Sequence, residues 1–366
     1  MYFWQKNKYT LKAIFYKRRY MNKKILIVRF RRVGDAIISS TLCSSLKQSF
    51  PDSEIHYILN ESIAPLFKHD PNIDKLISFS DYDMESFPRY LRKVRKIVKE
   101  TDYDIIIDTR STIKTLFFSL FSLRTKYRIG RKKAYNALVQ NYRVDNRYKG
   151  DKDNVGLTLM LLDPLIKEFK IKKDKVFRLY YTEEEKERFR NYMISSGIDF
   201  SKPVMVCAVT ARQDDKIWPS DKMKEILNRI LRKYDMQLIF NYGGEKEKSF
   251  AEKMYKEMGE NKQIFINIEA KSLRELIAMF ANADFFFGNE GGPRHISQAL
   301  NVPSFAIYNP TAHLNNWLPN KSERFQGIEL RDIDPVSAEN DNLSYVEKFK
   351  LIDVDPVWTR LEKMLI

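Results

Sequence analysis

The sequence predicts an α/β protein of two successive Rossmann-like domains, each built on a parallel sheet. Three observations carry this. Apolar runs with little polar alternation, such as Lys24 to Phe30 (KILIVRF), Tyr103 to Asp108 (YDIIID) and Val204 to Val209 (VMVCAV), suit strands covered on both faces. They alternate with stretches of helical periodicity, the mark of βαβ units. The alternation breaks at a Lys/Asp-rich stretch from Tyr148 to Lys175 and then starts again, and 366 residues suffice for two cores.

In order, Lys24 to Phe30 is a strand, Gly34 marks a tight turn, and Ala36 to Gln48 is a helix with Ile37, Ile38, Leu42 and Leu46 at its apolar positions. Glu54 to Leu59 reads as strand, Ile63 to Lys68 as a short helix and Lys75 to Phe79 as strand. Leu91 to Lys99 is a basic amphipathic helix leading to the strand Tyr103 to Asp108. After the break come a charged helix from Glu183 to Ser196, the strand Val204 to Val209 and the helix Asp221 to Lys233. Next are the strand Gln237 to Phe240, the helix Lys246 to Met258, the strand Ile264 to Asn267 and the helix Leu273 to Asn282. The strand Asp284 to Gly288, the helix Pro293 to Leu300 and the strand Ser304 to Tyr308 follow. Asp355-Pro356 suits the start of a closing helix, with Asp as N-cap and Pro at the first position. The expected divisions are an extension over 1–22, an N-terminal domain over 23–175, a C-terminal domain over 176–345 and a closing helix over 346–366. Ligands of open parallel sheets sit at the carboxyl ends of the strands, so a cleft across which two such sheets face each other is the expected site.

The net charge of +16 is the unusual bulk property. Such a field attracts nucleic acid, anionic lipid or phosphorylated substrates. Cations cluster at Lys6 to Arg19, at Arg89 to Lys99 and at Arg124 to Lys133, all in the N-terminal half. The first twenty residues mix these cations with Tyr2, Phe3, Trp4, Ile14, Phe15 and Tyr16, as an interfacial anchor would. Met21 directly before the first strand is an alternative translation start. The richest apolar stretch, Thr115 to Leu123, is too short to span a bilayer. Two distant cysteines, Cys43 and Cys207, fit a reducing cytosol, and four scattered histidines offer no zinc spacing.

Three segments after strands carry chemistry. In Arg29 to Ile37, Asp35 either caps the following helix or is a carboxylate able to take a proton from a hydroxyl. In Thr210 to Pro219, Thr210, Arg212 and Lys216 suit a diphosphate, Arg as a fork and Lys as a point charge; the alternative is a solvent loop with Trp218 as a lid. In Phe287 to Ile296, Gly291-Gly292 before a helix start lets phosphate oxygens approach bare amides. Neither a P-loop nor a dinucleotide fingerprint is present, so ATPase and NAD readings lose their support.

The three segments in this order resemble glycosyltransferase family 9, the ADP-heptose lipopolysaccharide heptosyltransferases. The resemblance runs from about Lys24 to the C-terminal helix. It is carried by the strand into Gly34-Asp35, by Lys216-x-Trp218-Pro219, and by Gly291-Gly292-Pro293-x-His295 with Ala299-Leu300-x-Val302-Pro303. Tyr103 to Asp108 and Arg128-Ile129-Gly130 are also similar to the family's N-terminal domain. It implies a GT-B fold, anomeric inversion and a donor nucleotide held by the C-terminal domain. By position it makes Asp35 the catalytic base, Lys216 the diphosphate lysine, Glu247 the acid on the ribose hydroxyls, and Gly292 and His295 parts of the donor turn. The chain departs from the family in carrying Glu290-Gly291 where Asp-Thr is usual, and in one extra residue between Arg212 and Lys216.

The reading is an inverting, metal-independent heptosyl or hexosyl transfer with no cofactor beyond the nucleotide-diphosphate sugar. Thr210, Arg212, Lys216, Glu247, Glu290, Gly291, Gly292 and His295 would meet the donor; Arg31, Arg32, Arg110 and Arg128 would meet an anionic lipid-linked glycan acceptor. The protein would sit on the cytoplasmic face of the inner membrane. Two rivals are another ADP-, GDP- or UDP-sugar donor and a non-catalytic nucleic-acid-binding protein. The second lacks any helix-turn-helix, RNA-recognition motif or zinc finger.

Overall fold

The computed structural model describes residues 22–145 and 152–365. The basic aromatic segment before Met21 lies outside the described residues. The chain forms two compact units, one up to Phe177 and one from Arg178 onward.

The first unit holds six parallel strands: β1 (Lys24–Val28), β2 (Glu54–Asn60), β3 (Lys75–Phe79), β4 (Ile105–Asp108), β5 (Tyr127–Arg131) and β6 (Tyr142–Val144), in the order β3-β2-β1-β4-β5-β6. The second holds β7 (Val204–Ala208), β8 (Gln237–Phe240), β9 (Ile264–Phe265), β10 (Phe285–Asn289), β11 (Ser304–Ile307) and β12 (Phe325–Ile328), ordered β12-β11-β10-β7-β8-β9. Both are the doubly wound order 3-2-1-4-5-6. The chain reverses direction across each sheet beside its first strand, between β1 and β4 and between β7 and β10, and there the loops after adjacent strands part to leave a crevice.

The helices used below are α1 (Val33–Ser39), α2 (Thr41–Ser49), α3 (Phe87–Glu100), α4 (Ile113–Leu120), α5 (Glu183–Ser195), α6 (Ser220–Lys233), α7 (Glu245–Glu257), α8 (Leu273–Ala281), α9 (Gly292–Ala299) and α10 (Val354–Glu362). Leu26, Val28, Phe79, Tyr90, Val94, Ile106 and Phe118 form a core of the first unit, where α3 and α4 cover β1 and β4. In the second, Met205, Cys207, Leu238 and Phe287 pack with α6 and with Phe349, Ile352, Val357 and Leu361 from the chain's end.

Four expectations are corrected. The helix from Ala36 to Gln48 is two pieces meeting at Ser40, because the Ser40 and Thr41 hydroxyls donate to the carbonyls of Ile37 and Ile38 and compete with the helical ladder. The closing helix starts at Val354 after Asp353, not at Asp355, whose carboxylate instead pairs with Arg229 at 2.7 Å. Within the Lys/Asp-rich stretch a helix, Asn154–Leu159, buries Val155, Leu157 and Leu159. The periodicity also missed α4, β5, β6 and β12: β5 interleaves Arg128 and Arg131 with its apolar residues, and β6 and β12 are short edge strands.

Candidate active site

In the first unit β1 leaves the sheet at Val28 and the chain passes through Arg29–Arg32 before α1 begins. Arg31 and Arg32 have φ of 65° and 57°. Two consecutive side-chain-bearing residues in the left-handed region cost about 1–2 kcal/mol each, and such strain gathers at functional sites. Asn60, ending β2, accepts the Arg31 N–H at 2.6 Å and holds the bend. Both arginine side chains are exposed.

Asp35 lies in the first turn of α1 and does not cap it: the N-cap position is Arg32, and no side-chain cap bond forms. Its carboxylate lies 2.6 Å from Nη2 of the buried Arg29. On the neighbouring strand β4, Asp108 is fully buried. It accepts the N–H groups of Arg110 at 3.0 Å and Ser111 at 2.8 Å, with Ser111 itself at φ 51°. Burial pushes the Asp108 carboxyl above its ordinary range, against hydrogen bonds from Thr115 and those two amides and the field of Arg29. Arg110 reaches back to the Phe30 carbonyl at 3.3 Å.

Arg131, ending β5, joins this group. Burial first, then the positive field of Arg29, lowers both Arg110 and Arg131, while Asp35 opposes the shift. Nε of Arg29 and Nε of Arg131 are buried with no hydrogen-bond partner among the described residues. The β1/β4 switch point therefore carries a carboxylate base candidate among guanidinium groups, with positive charge in surplus. Arg128 is not brought there. It donates from Nε to Val139 and from Nη1 to Leu123 and Thr125, all backbone carbonyls. Sequence reasoning missed Arg29, Asp108 and Arg131; the signal for the first two was a charged residue at the end of an apolar run.

In the second unit the equivalent switch point joins the exits of β7 and β10. Asn289 ties them, accepting the Trp218 N–H at 2.9 Å and donating to the Ala208 carbonyl at 3.0 Å. Gly288 permits this closeness: a Cβ there would lie 2.3 Å from the Ala208 carbonyl oxygen. Trp218 is wholly buried and donates from Nε1 to the Ile352 carbonyl at 3.0 Å, so it anchors the loop as a core residue and is not a solvent lid.

Thr210, at the β7 exit, donates to Glu247 Oε2 at 2.8 Å, and the Gly243 N–H donates to the same oxygen at 3.0 Å. Thr210 and Glu247 line a cavity of about 440 Å³ whose other walls include Ile217, Trp218, Pro219 and Phe250. An apolar wall facing a hydrogen-bonded carboxylate suits a flat base carrying a hydroxylated sugar. Lys216 Nζ lies 3.9 Å from Glu290 Oε1, and Asn309 holds that same oxygen at 2.8 Å. Arg212 is exposed in the intervening loop. The N-cap of α9 is Gly291 and its first residue Gly292, with no side-chain cap, so the first-turn amides and the helix dipole are open to an anion. His295 is buried on α9, with Arg294 Nη2 2.6 Å from its Nδ1 and its ring edge-on to Trp317. Burial, then Arg294, drives the imidazole well below its ordinary value, and a nitrogen accepting from a guanidinium must be unprotonated. Among the described residues no group of three or more His, Cys, Asp or Glu side chains could hold a metal ion.

The sequence model of glycosyltransferase family 9 (heptosyltransferase) matches residues 91–329. The chain is 26% identical over 304 residues to lipopolysaccharide heptosyltransferase 1 of Campylobacter coli, covering 80% of this chain and 86% of that protein. The glycosyl transferase family 9 structure from Veillonella parvula is similar at a TM-score of 0.77 and 17% identity, over 94% of this chain and 97% of that one. The Escherichia coli heptosyltransferase WaaC with ADP-2-deoxy-2-fluoro heptose is similar at 0.65 and 14% identity, over 93% and 99%. Two six-stranded Rossmann-like sheets make the GT-B fold that such structures share. With the family's sequence model matching more than half of its length, this chain belongs to glycosyltransferase family 9 and is a glycosyltransferase.

Proposed function

We propose that this enzyme transfers heptose from ADP-heptose to the lipopolysaccharide core, the glycan linked to lipid A, in one inverting displacement that needs no metal or cofactor. Asp35 takes the proton of the acceptor hydroxyl as that oxygen bonds to the anomeric carbon. The bond from that carbon to the diphosphate breaks with inversion, ADP departs with its electron pair, and Asp35 then releases the proton to solvent. Negative charge grows on the diphosphate, where Lys216 and the start of α9 stabilise it. Glu247, oriented by Thr210 and the Gly243 amide, takes the ribose hydroxyls, and the apolar wall of Ile217 and Phe250 takes the base. His295, neutral and buried on α9, is held between Arg294 and Trp317. Arg31, Arg32 and Arg110 draw an acidic acceptor toward Asp35, and the enzyme works at the cytoplasmic face of the inner membrane.

The observation that carries this reading is the Arg29–Asp35 pair, which holds an uncapped, partly exposed carboxylate within a cationic strand exit. Named relatives that are lipopolysaccharide heptosyltransferases support the donor and acceptor. The test is purified enzyme with ADP-heptose and a deacylated lipopolysaccharide core lacking heptose, following ADP release and the acceptor's gain of one heptose by mass. Transfer from UDP- or GDP-sugars with none from ADP-heptose would overturn the donor assignment.

A further inference from the structure

Helix α4 follows β4 directly, and its sequence, IKTLFFSL, is apolar on both faces. Leu116 and Phe118 point into the unit and are buried, Phe118 against Phe79 and Tyr90. Outward, Ile113 is 68% exposed, Leu120 39% and Leu123, just beyond the helix, 56%. Phe117 and Phe121 lie half-buried between them, and the spacing 113, 117, 120, 121 is one helical stripe. Phe87, 47% exposed at the start of α3, meets Phe117 edge-on at 5.5 Å, and Phe117 meets Phe121 at 5.8 Å. Ring contacts thus join two helices into one apolar surface, where a helix facing only water would carry polar residues.

The rim of this surface is cationic. Lys114 and Arg124 bracket the stripe, and α3 carries Arg89, Arg92, Lys93, Arg95, Lys96 and Lys99 against the single acid Glu100. Lys93 is taken up by Asp83 at 2.5 Å, Arg89 lies over the Tyr82 ring and Lys96 pairs with Glu100 at 3.8 Å, but Arg92, Arg95 and Lys99 are exposed. Asp81 and Glu85 are the nearby exposed acids on the short helix before α3 and leave the balance positive.

We propose that this face rests on an anionic bilayer, with the exposed Ile113, Leu120 and Leu123 entering the headgroup boundary over Phe117, which packs on the core, and the cations meeting lipid phosphates. An apolar stripe with a cationic rim is what an interfacial surface requires. A second copy docked on the same face would bring two like-charged rims together, which disfavours self-association. The placement also serves the reaction. Ile113 stands three residues after Arg110, at the exit of the strand that carries Asp108, so the surface adjoins the acceptor side of the site. An acceptor whose acyl chains stay in the bilayer would present its sugars there. This rests on the proposal above that the acceptor is lipid-linked.

The test uses the full-length chain and its Ile113→Glu/Leu120→Glu variant, sedimented with vesicles of phosphatidylglycerol and phosphatidylcholine. The expected result is an apparent affinity at least about tenfold lower for the variant. Melting temperature and turnover on a deacylated, water-soluble acceptor should be unchanged, because both substitutions are at exposed helical positions. Wild-type affinity in the variant would overturn the proposal, and so would a wild-type dimer that the variant dissociates in sedimentation velocity. Loss of vesicle binding in a protein that transfers to no lipid-linked or deacylated core would uphold the surface while removing the functional reading.

Discussion

The Arg29 guanidinium and the Asp35 carboxylate meet at 2.6 Å across the first turn after β1, with Arg29 buried and Asp35 a quarter exposed. The contact engages Oδ2 of the carboxylate. An aspartate that merely capped α1 would bond backbone amides, and this one does not.

Asp35→Asn should therefore lower turnover by roughly 10²–10⁴, the usual worth of a general base. The amide oxygen can still accept from Arg29, so donor affinity and melting temperature should hardly move. Steady-state kinetics and thermal melting on one preparation check this. A near-normal kcat would remove Asp35 from the mechanism.

Arg29 acts through Asp35, as a positioning residue. Arg29→Met should lower kcat and leave the KM for the nucleotide sugar nearly unchanged, and Arg29→Lys should recover part of the loss. Leaving a partly buried carboxylate unpaired costs on the order of 1–3 kcal/mol, readable as a lower denaturant midpoint. A purely structural role predicts that stability falls and kcat per folded molecule stays the same.

Lys216 is only partly buried and lies 3.9 Å from Glu290, so its removal should cost the fold little. Lys216→Ala should weaken ADP binding by about 10–100-fold, the range of a charge-assisted contact. ADP should raise the melting temperature of the wild type well above the effect of adenosine at equal concentration. Equal shifts from the two ligands would remove the diphosphate from this loop.

His295 makes stability depend on pH. Its folded-state value is depressed by burial and by Arg294, so the unfolded chain takes up the proton first. Stability from the neutral ring is fully present above the ordinary value of 6.5 and is lost as pH falls below it toward the folded value. The slope should reach up to about 1.4 kcal/mol per pH unit. Denaturant unfolding between pH 7 and pH 5 should show this decline, and His295→Gln should flatten it. An unchanged slope in that variant would place the effect elsewhere.

The sequence by itself determined the two-fold α/β plan, because strands covered on both faces must be continuous apolar runs and their alternation with helices leaves few topologies. It also placed Asp35, Thr210, Lys216, Glu290 and Gly291-Gly292 after strands, since such loops are marked by turn residues and charge in chain order. Tertiary structure alone decided which side chains meet. Arg29 and Asp35 are close in sequence, yet only the left-handed bend at Arg31-Arg32 turns them toward each other. Arg131 reaches the same switch point because β5 lies beside β4, and Arg128, three residues earlier, is spent on carbonyls instead. Trp218 reads as a loop residue until Asn289 and Ile352, remote in the chain, are found holding it. Local pattern records propensity and burial, whereas ion pairs and hydrogen bonds between distant segments depend on register and packing that no single stretch encodes.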